Sequence, residues 1–315
     1  AALIRATREW GGHNEQGMAF GILEGGRGLV AAILASLGVV LLASFMPDNL
    51  DQLNNEERKL AFRSVIFFYS GVTLATAALT WIVIPSVKHI GDSARALFRN
   101  AVTVLGRPLV WAQAGVIICA YCGYKGFDNY SLYAVQVLGM NEVDGAKVTA
   151  YATYVRPVAA IAAGLIADRW AAGKTVGACF VLLVISYGVL AVSMPVGAGL
   201  YIIYGNLFVS VAAVFMLRGV YFALLEENQV PPYLTGAVAG AVSFIGFTPE
   251  IFFGPITGRI LDANPGPVGH QHYFLFLAVV ATIGVAVVVW LLRLQHQNTA
   301  SLWTDAVEAS RQSTR

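Results

Sequence analysis

The sequence predicts an all-α integral membrane protein with eight transmembrane helices. Three observations predict it. Of the 315 residues, 57% are hydrophobic and 12% are charged, against roughly 25% charged in ordinary soluble domains. The mean hydropathy is +0.67. The apolar residues are gathered into long blocks between short polar stretches instead of being spread through one core.

A helix needs about 20 mainly apolar residues to cross about 30 Å of hydrocarbon. Segments that supply them run near Gly17 to Met46, Ser64 to Pro85, Pro108 to Gln136, Lys147 to Ala167, Thr175 to Met194, Gly199 to Leu225, Leu234 to Ile260 and His272 to Leu292. Strands of a membrane barrel would alternate in polarity over about ten residues, which these blocks do not. With the N-terminus inside, the loops on the inner face carry eleven Lys and Arg and those on the outer face five, and four more fall within the spans. That excess predicts that both visible termini are cytoplasmic.

The same composition excludes several functions. The net charge of +2 is small and dispersed, so nucleic acid is not an expected partner. Cys119, Cys122 and Cys179 all lie inside apolar blocks, and no second thiol pair or histidine cluster completes a metal site around Cys119-Ala-Tyr-Cys122. The histidines lack a paired nucleophile or metal-ligand spacing, and no phosphate-cradling glycine pattern is present. Neither an enzyme nor a cofactor is expected.

One segment boundary carries a motif. Gly164-Leu-Ile-Ala-Asp168-Arg169, followed by Gly173-Lys174, closes one span and opens the next. Physically, a glycine there permits close helix approach, Asp168 can cap a neighbouring helix or pair with a base, and Arg169 and Lys174 anchor the loop inside. The run resembles the G-x-x-x-D-R-x-G-[RK] loop of the major facilitator superfamily, in its second-half copy between helices 8 and 9. Two further stretches are similar to that superfamily: the Gly- and Pro-rich run from Pro231 to Asp262 resembles helix 11, and Arg5 to Gly21 resembles the junction of helices 4 and 5.

The resemblance implies that the eight segments correspond to helices 5 to 12 of a twelve-helix transporter in a bacterial-type inner membrane. Residues 1–85 would then hold the end of helix 4 and helices 5 and 6. Residues 86–107 would form a basic cytoplasmic loop between bundles, 108–293 the C-terminal six-helix bundle, and 294–315 a polar tail. It implies further that helices 1 to 4 are not in this chain, and that the chain alone does not transport.

Charges inside the hydrocarbon each cost about 2.5 to 3.5 kcal/mol on insertion scales and require a partner or a purpose. Glu24 and Arg27 stand three residues apart and can pair on one helix face. Arg27 lies about 15 Å from the inner start of its span and Arg156 about 18 Å from Asp168, both close to the midplane. The resemblance sets these two arginines across one central cavity, where two guanidiniums suit an anion that accepts bidentate hydrogen bonds. Pro157 favours a local bend beside Arg156. In Gly123-Tyr124-Lys125-Gly126-Phe127-Asp128-Asn129-Tyr130 the glycines and polar groups make unwinding plausible, and Lys125 with Asp128 forms either an outer gate or a substrate contact. Glu250 has no base near it in sequence and is the candidate proton carrier. Arg218 is expected in an inner gate network with Glu226 and Glu227.

The resulting expectation is a secondary active transporter of a small polar, anionic solute, with Arg27, Arg156, Tyr124, Tyr154 and Lys125 as substrate contacts. Glu24, Asp128, Glu250 and Arg218 would serve coupling and gating, and Gly164, Asp168, Arg169, Gly173 and Lys174 the loop. The alternatives are a proton-driven exporter of amphiphilic compounds and a non-transporting membrane receptor or sensor.

Overall fold

The computed structural model describes residues 2–44, 55–83, 102–140, 142–193, 199–231 and 234–297. The expected inter-bundle loop lies outside the described residues from 86 to 101, and the expected tail from 298 onward. The elements in order are α1 (Ala2–Gly11), α2 (Gln16–Ser44), α3 (Asn55–Val83), α4 (Pro108–Phe127), α5 (Tyr130–Gln136), α6 (Glu142–Thr153), α7 (Val155–Trp170), α8 (Ala172–Val192), α9 (Gly199–Val220), α10 (Leu224–Glu227), α11 (Thr235–Gly246), α12 (Pro249–Ala263) and α13 (Pro267–His296). No strand occurs among the described residues.

Seven stretches among the described residues are long and apolar enough to cross a bilayer, against the eight expected. They are Gln16–Gly38, Arg63–Val83, Lys147–Trp170, Ala172–Val192, Gly199–Val220, Thr235–Ala263 and Pro267–His296. The eighth expected segment is α4, 20 residues long, whose Gln113, Tyr121, Tyr124 and Lys125 dilute its apolar character.

Local chemistry sets the breaks. Pro108, Pro249 and Pro267 stand in the first turns of α4, α12 and α13, where a missing N–H leaves no bond unmade. Pro157 cannot donate to the carbonyl four residues earlier, and α6 stops at that residue, Thr153; α7 restarts at Val155. The irregularity expected over 123–130 is narrower than the composition suggests. Helix α4 runs intact through Lys125 to Phe127, and only Asp128 and Asn129 separate it from α5. Between α7 and α8 the chain turns at Ala171, whose φ of 125° lies in the region that favours glycine.

The chain forms two compact units. The smaller, Leu29–Ser93, holds the distal part of α2 and α3. There the Tyr69 hydroxyl donates to the Leu34 carbonyl at 3.1 Å, and a methyl group at Gly38 would run into the Tyr69 ring. Much of α3 is outward-facing and apolar, with Trp81 89% exposed, as a lipid-facing helix allows.

The larger unit comprises Ala1–Gly28 with Ala94–Arg315. In it α13 packs on α8 and α4, α9 packs on α7 and α8, and α11 lies on α4. Its core is aromatic: Tyr130, Tyr187, Phe180, Phe215, Tyr273 and Phe274 are buried. Two of the buried hydroxyls there find partners, Tyr130 with Ser210 Oγ at 2.6 Å and Tyr273 donating to the Gly126 carbonyl at 2.6 Å, while the Tyr187 hydroxyl has none among the described residues. At one end α2 meets α7 through facing glycines. A Cβ at Gly17 would lie 2.5 Å from the Gly164 carbonyl oxygen, so neither position has room for a side chain.

Candidate functional site: a buried arginine cluster on Glu24

Glu24 projects from α2 and is buried. Its Oε1 accepts from Arg156 Nη2 at 2.6 Å and from Arg218 Nε at 2.7 Å. Arg27, one turn further along α2, brings Nη1 to 3.6 Å from Oε2. Arg156 and Arg218 expose 9% and 8% of their side chains, and Arg27 56%. Three guanidiniums therefore converge on a single carboxylate from α2, α7 and α9, leaving a local excess of two positive charges.

The surroundings hold the arginines in place. The Arg156 guanidinium lies 5.7 Å from the Phe215 ring centroid, and Arg218 lies 4.0 Å from Tyr124 and 5.9 Å from Tyr121. Gly28 makes room for the Arg156 stem, since a Cβ there would sit 2.6 Å from its Cγ and Cδ. Arg156 is the second residue of the 16-residue α7, so the positive end of that helix lies beside it.

A second charged group adjoins the same tyrosines. The Tyr121 hydroxyl donates to Glu250 Oε2 at 2.7 Å, and Lys125 Nζ stands 3.5 Å from Glu250 Oε1 and 2.8 Å from Asp128 Oδ2. Glu250, isolated in sequence, thus has a base on α4. Tyr154 lies at the break between α6 and α7 and is 43% exposed.

The loop residues meet a different part of the molecule. Asp168 accepts from the backbone N–H groups of Gly17 at 2.7 Å and Met18 at 2.8 Å, capping α2 from the end of α7. Glu227 accepts from the backbone N–H groups of Ala172 and Gly173 and so caps α8. Burial raises the Glu227 carboxyl above its ordinary value, and these two donors with Lys174 offset only part of that rise.

Arg8 on α1 closes the same end. It donates from Nη2 to Glu226 Oε2 at 2.7 Å and to the Val230 carbonyl at 2.7 Å, and from Nη1 to Thr235 Oγ1 at 2.5 Å. His13 adds a contact to Glu226 Oε1 at 2.7 Å. Burial pushes the Glu226 carboxyl up, but the bonds from Arg8 and His13 outweigh it and hold the group below the usual carboxylate range. Arg218, expected with Glu226 and Glu227, is instead bound to Glu24. Arg8, His13, Thr235 and Tyr121 were not among the expected functional residues. Arg8 and Glu226 are 218 positions apart, and no spacing rule links them.

Among the described residues no group of three or more His, Cys, Asp or Glu is placed to hold a metal ion. All three cysteines are free and buried.

Known proteins share this architecture. The chain is 26% identical over 310 residues to the inner membrane protein YihN of Escherichia coli (strain K12), covering 92% of this chain and 69% of that protein. It is 25% identical over 312 residues to the inner membrane protein YqcE of the same organism, covering 94% and 69%. The fold is similar to the crystal structure of a Major Facilitator Superfamily transporter, FucP, in the outward conformation, with a TM-score of 0.64, 18% identity and coverage of 91% of this chain and 72% of that one. The model of the Major Facilitator Superfamily matches residues 1–253, and with that match over most of its length the chain belongs to this superfamily of secondary transporters.

Proposed function

We propose that the protein moves a small polar anion across a bacterial inner membrane by alternating access, and that Arg156, Arg218 and Arg27 hold the anion. The observation that carries this reading is the convergence of two buried arginines, from α7 and α9, on one carboxylate of α2. Buried charge is retained in hydrocarbon only where it is paired or used, and a surplus of two positive charges at one point calls for an anionic ligand. The break at Tyr154 supports it, because a helix restarting inside a span turns its positive end toward an anion.

In this reading residues 1–85 belong to one bundle and 108–293 to the other. The Arg8–Glu226 pair and the Asp168 cap close the cytoplasmic end. Lys125, Asp128 and Glu250 form the outer gate, Tyr124 orders Arg218, and Glu250 is the candidate proton carrier. Arg169 and Lys174 anchor the loop on the inner face.

The test is uptake of radiolabelled small anions, phosphate monoesters and sugar acids, into proteoliposomes holding the full-length protein. Arg156→Ala is expected to lower uptake by about 100-fold or more, the scale of truncating one member of a buried, hydrogen-bonded charge pair. Near-normal uptake by Arg156→Ala would remove that residue from the site. Accumulation of amphiphilic cations instead of anions would favour the exporter reading, against which the surplus of arginine weighs.

A further inference from the structure

The cluster on Glu24 is short of acceptors. A single oxygen, Oε1, serves both Arg156 and Arg218, while Oε2 has Arg27 at 3.6 Å. Arg156 Nε and Arg218 Nη1 are buried with no hydrogen-bond partner. A buried guanidinium donor without an acceptor is costly, and native structures rarely leave one. Here two lie unpartnered on the two arginines that share one oxygen. The missing acceptors define a ligand with several oxyanion oxygens held close together.

We propose that Glu24 is a tethered occupant of the anion site, displaced by the transported anion on binding. Its carboxylate holds Arg156 and Arg218 while the site is empty. An incoming oxyanion takes its place and supplies the acceptors that one carboxylate oxygen cannot. Glu24 then turns toward Arg27, its neighbour one turn along the same helix face, which keeps its charge compensated. With Glu24 and Arg27 paired, Arg156 and Arg218 present two positive charges, so the favoured ligand is a dianion such as a phosphate group. A lone monocarboxylate gains little, because it replaces one carboxylate with another.

This inference rests on the anion-transport reading, and titration of the protein in lipid nanodiscs with inorganic phosphate separates the two. Phosphate binding to the wild type that disappears in Arg156→Ala supports the reading. Phosphate binding absent from every form overturns the inference, and binding unchanged in Arg156→Ala overturns the reading and the inference together. Given a phosphate site that needs Arg156, Glu24→Gln is expected to bind phosphate roughly tenfold more tightly, because the competent state no longer has to be freed from its own carboxylate. Glu24→Asp keeps the charge and the fold but retracts the carboxylate by one methylene, and is expected to tighten binding by a smaller factor. Phosphate binding that is unchanged or weaker in both variants would overturn the role of Glu24 and leave the anion site standing.

Discussion

Two charged clusters in this protein use the same residue types and differ in completeness. Around Glu226, Arg8 spends its donors on the Glu226 carboxylate, the Val230 carbonyl and the Thr235 hydroxyl, and His13 takes the second carboxylate oxygen. Around Glu24, three arginines share one carboxylate and two buried N–H groups find nothing. The first cluster is a satisfied network that ties α1 to the α10–α11 region. The second is a network with places left open. Burial of charge alone does not separate a structural contact from a ligand site; the count of donors against acceptors does.

The contrast is broken most sharply by truncating one arginine from each cluster. If the proposed anion site holds, Arg218→Ala should weaken anion binding by about 100-fold, since it removes one of the two buried guanidiniums of that site. Arg8→Ala should leave anion affinity within a factor of about three but lower stability by about 2–3 kcal/mol, less than for a fully buried pair because Glu226 is partly solvated. Titration and thermal unfolding in nanodiscs measure both. A loss of anion affinity in Arg8→Ala as large as that in Arg218→Ala would mean that the two clusters do not differ in function.

A smaller effect is expected at the glycine contact beside the Glu226 cluster. In Gly164→Ala the new methyl would collide with the Gly17 backbone and stand 3.1 Å from Met18 Cα. Separating α2 from α7 should cost about 1–3 kcal/mol, the usual range for overpacking. It should also loosen the two N–H bonds to Asp168, which hydrogen exchange at Gly17 and Met18 would detect. An unchanged unfolding midpoint would mean that the helices are not held at this separation.

The smallest effect is a pH dependence of opposite sign at two adjacent carboxylates. The folded pKa of Glu226 lies below its ordinary value, so its stabilisation is present above about pH 4.3 and is lost as pH falls through the lower folded value. Glu227 is raised, so its contribution is most favourable below about pH 4.3 and declines as pH rises through its folded value. Glu226→Gln should therefore flatten the acid limb of the midpoint-versus-pH curve, and Glu227→Gln the limb above it. An acid limb unchanged in Glu226→Gln would assign the acid sensitivity to other groups.

Much of the fold was legible because the bilayer imposes a length and a composition on every span. Seven of the eight expected segments emerged as apolar helices, and α4 fell short because its polar groups lower its hydropathy. Composition also overstated the disorder in α4, since unwinding was expected across 123–130 and is confined to Asp128 and Asn129. Gly123 and Gly126 lower helix propensity, but packing holds the segment in the helix, with Gly126 against Leu277 and its carbonyl bonded to Tyr273.

The sequence by itself determined the membrane class, the approximate spans, the superfamily loop and the mid-span depth of Arg27 and Arg156, because hydropathy, spacing and helical rise are properties of one segment at a time. It also brought Glu24 and Arg27 together, three residues apart on one helix. Only the tertiary structure decided that Glu24 serves Arg156 and Arg218 and only distantly Arg27, that Glu250 meets Lys125, and that Arg8 meets Glu226. Those contacts join helices far apart in the chain, where the partner of a buried charge is fixed by which faces pack together and by the free energy lost if any donor is left without an acceptor.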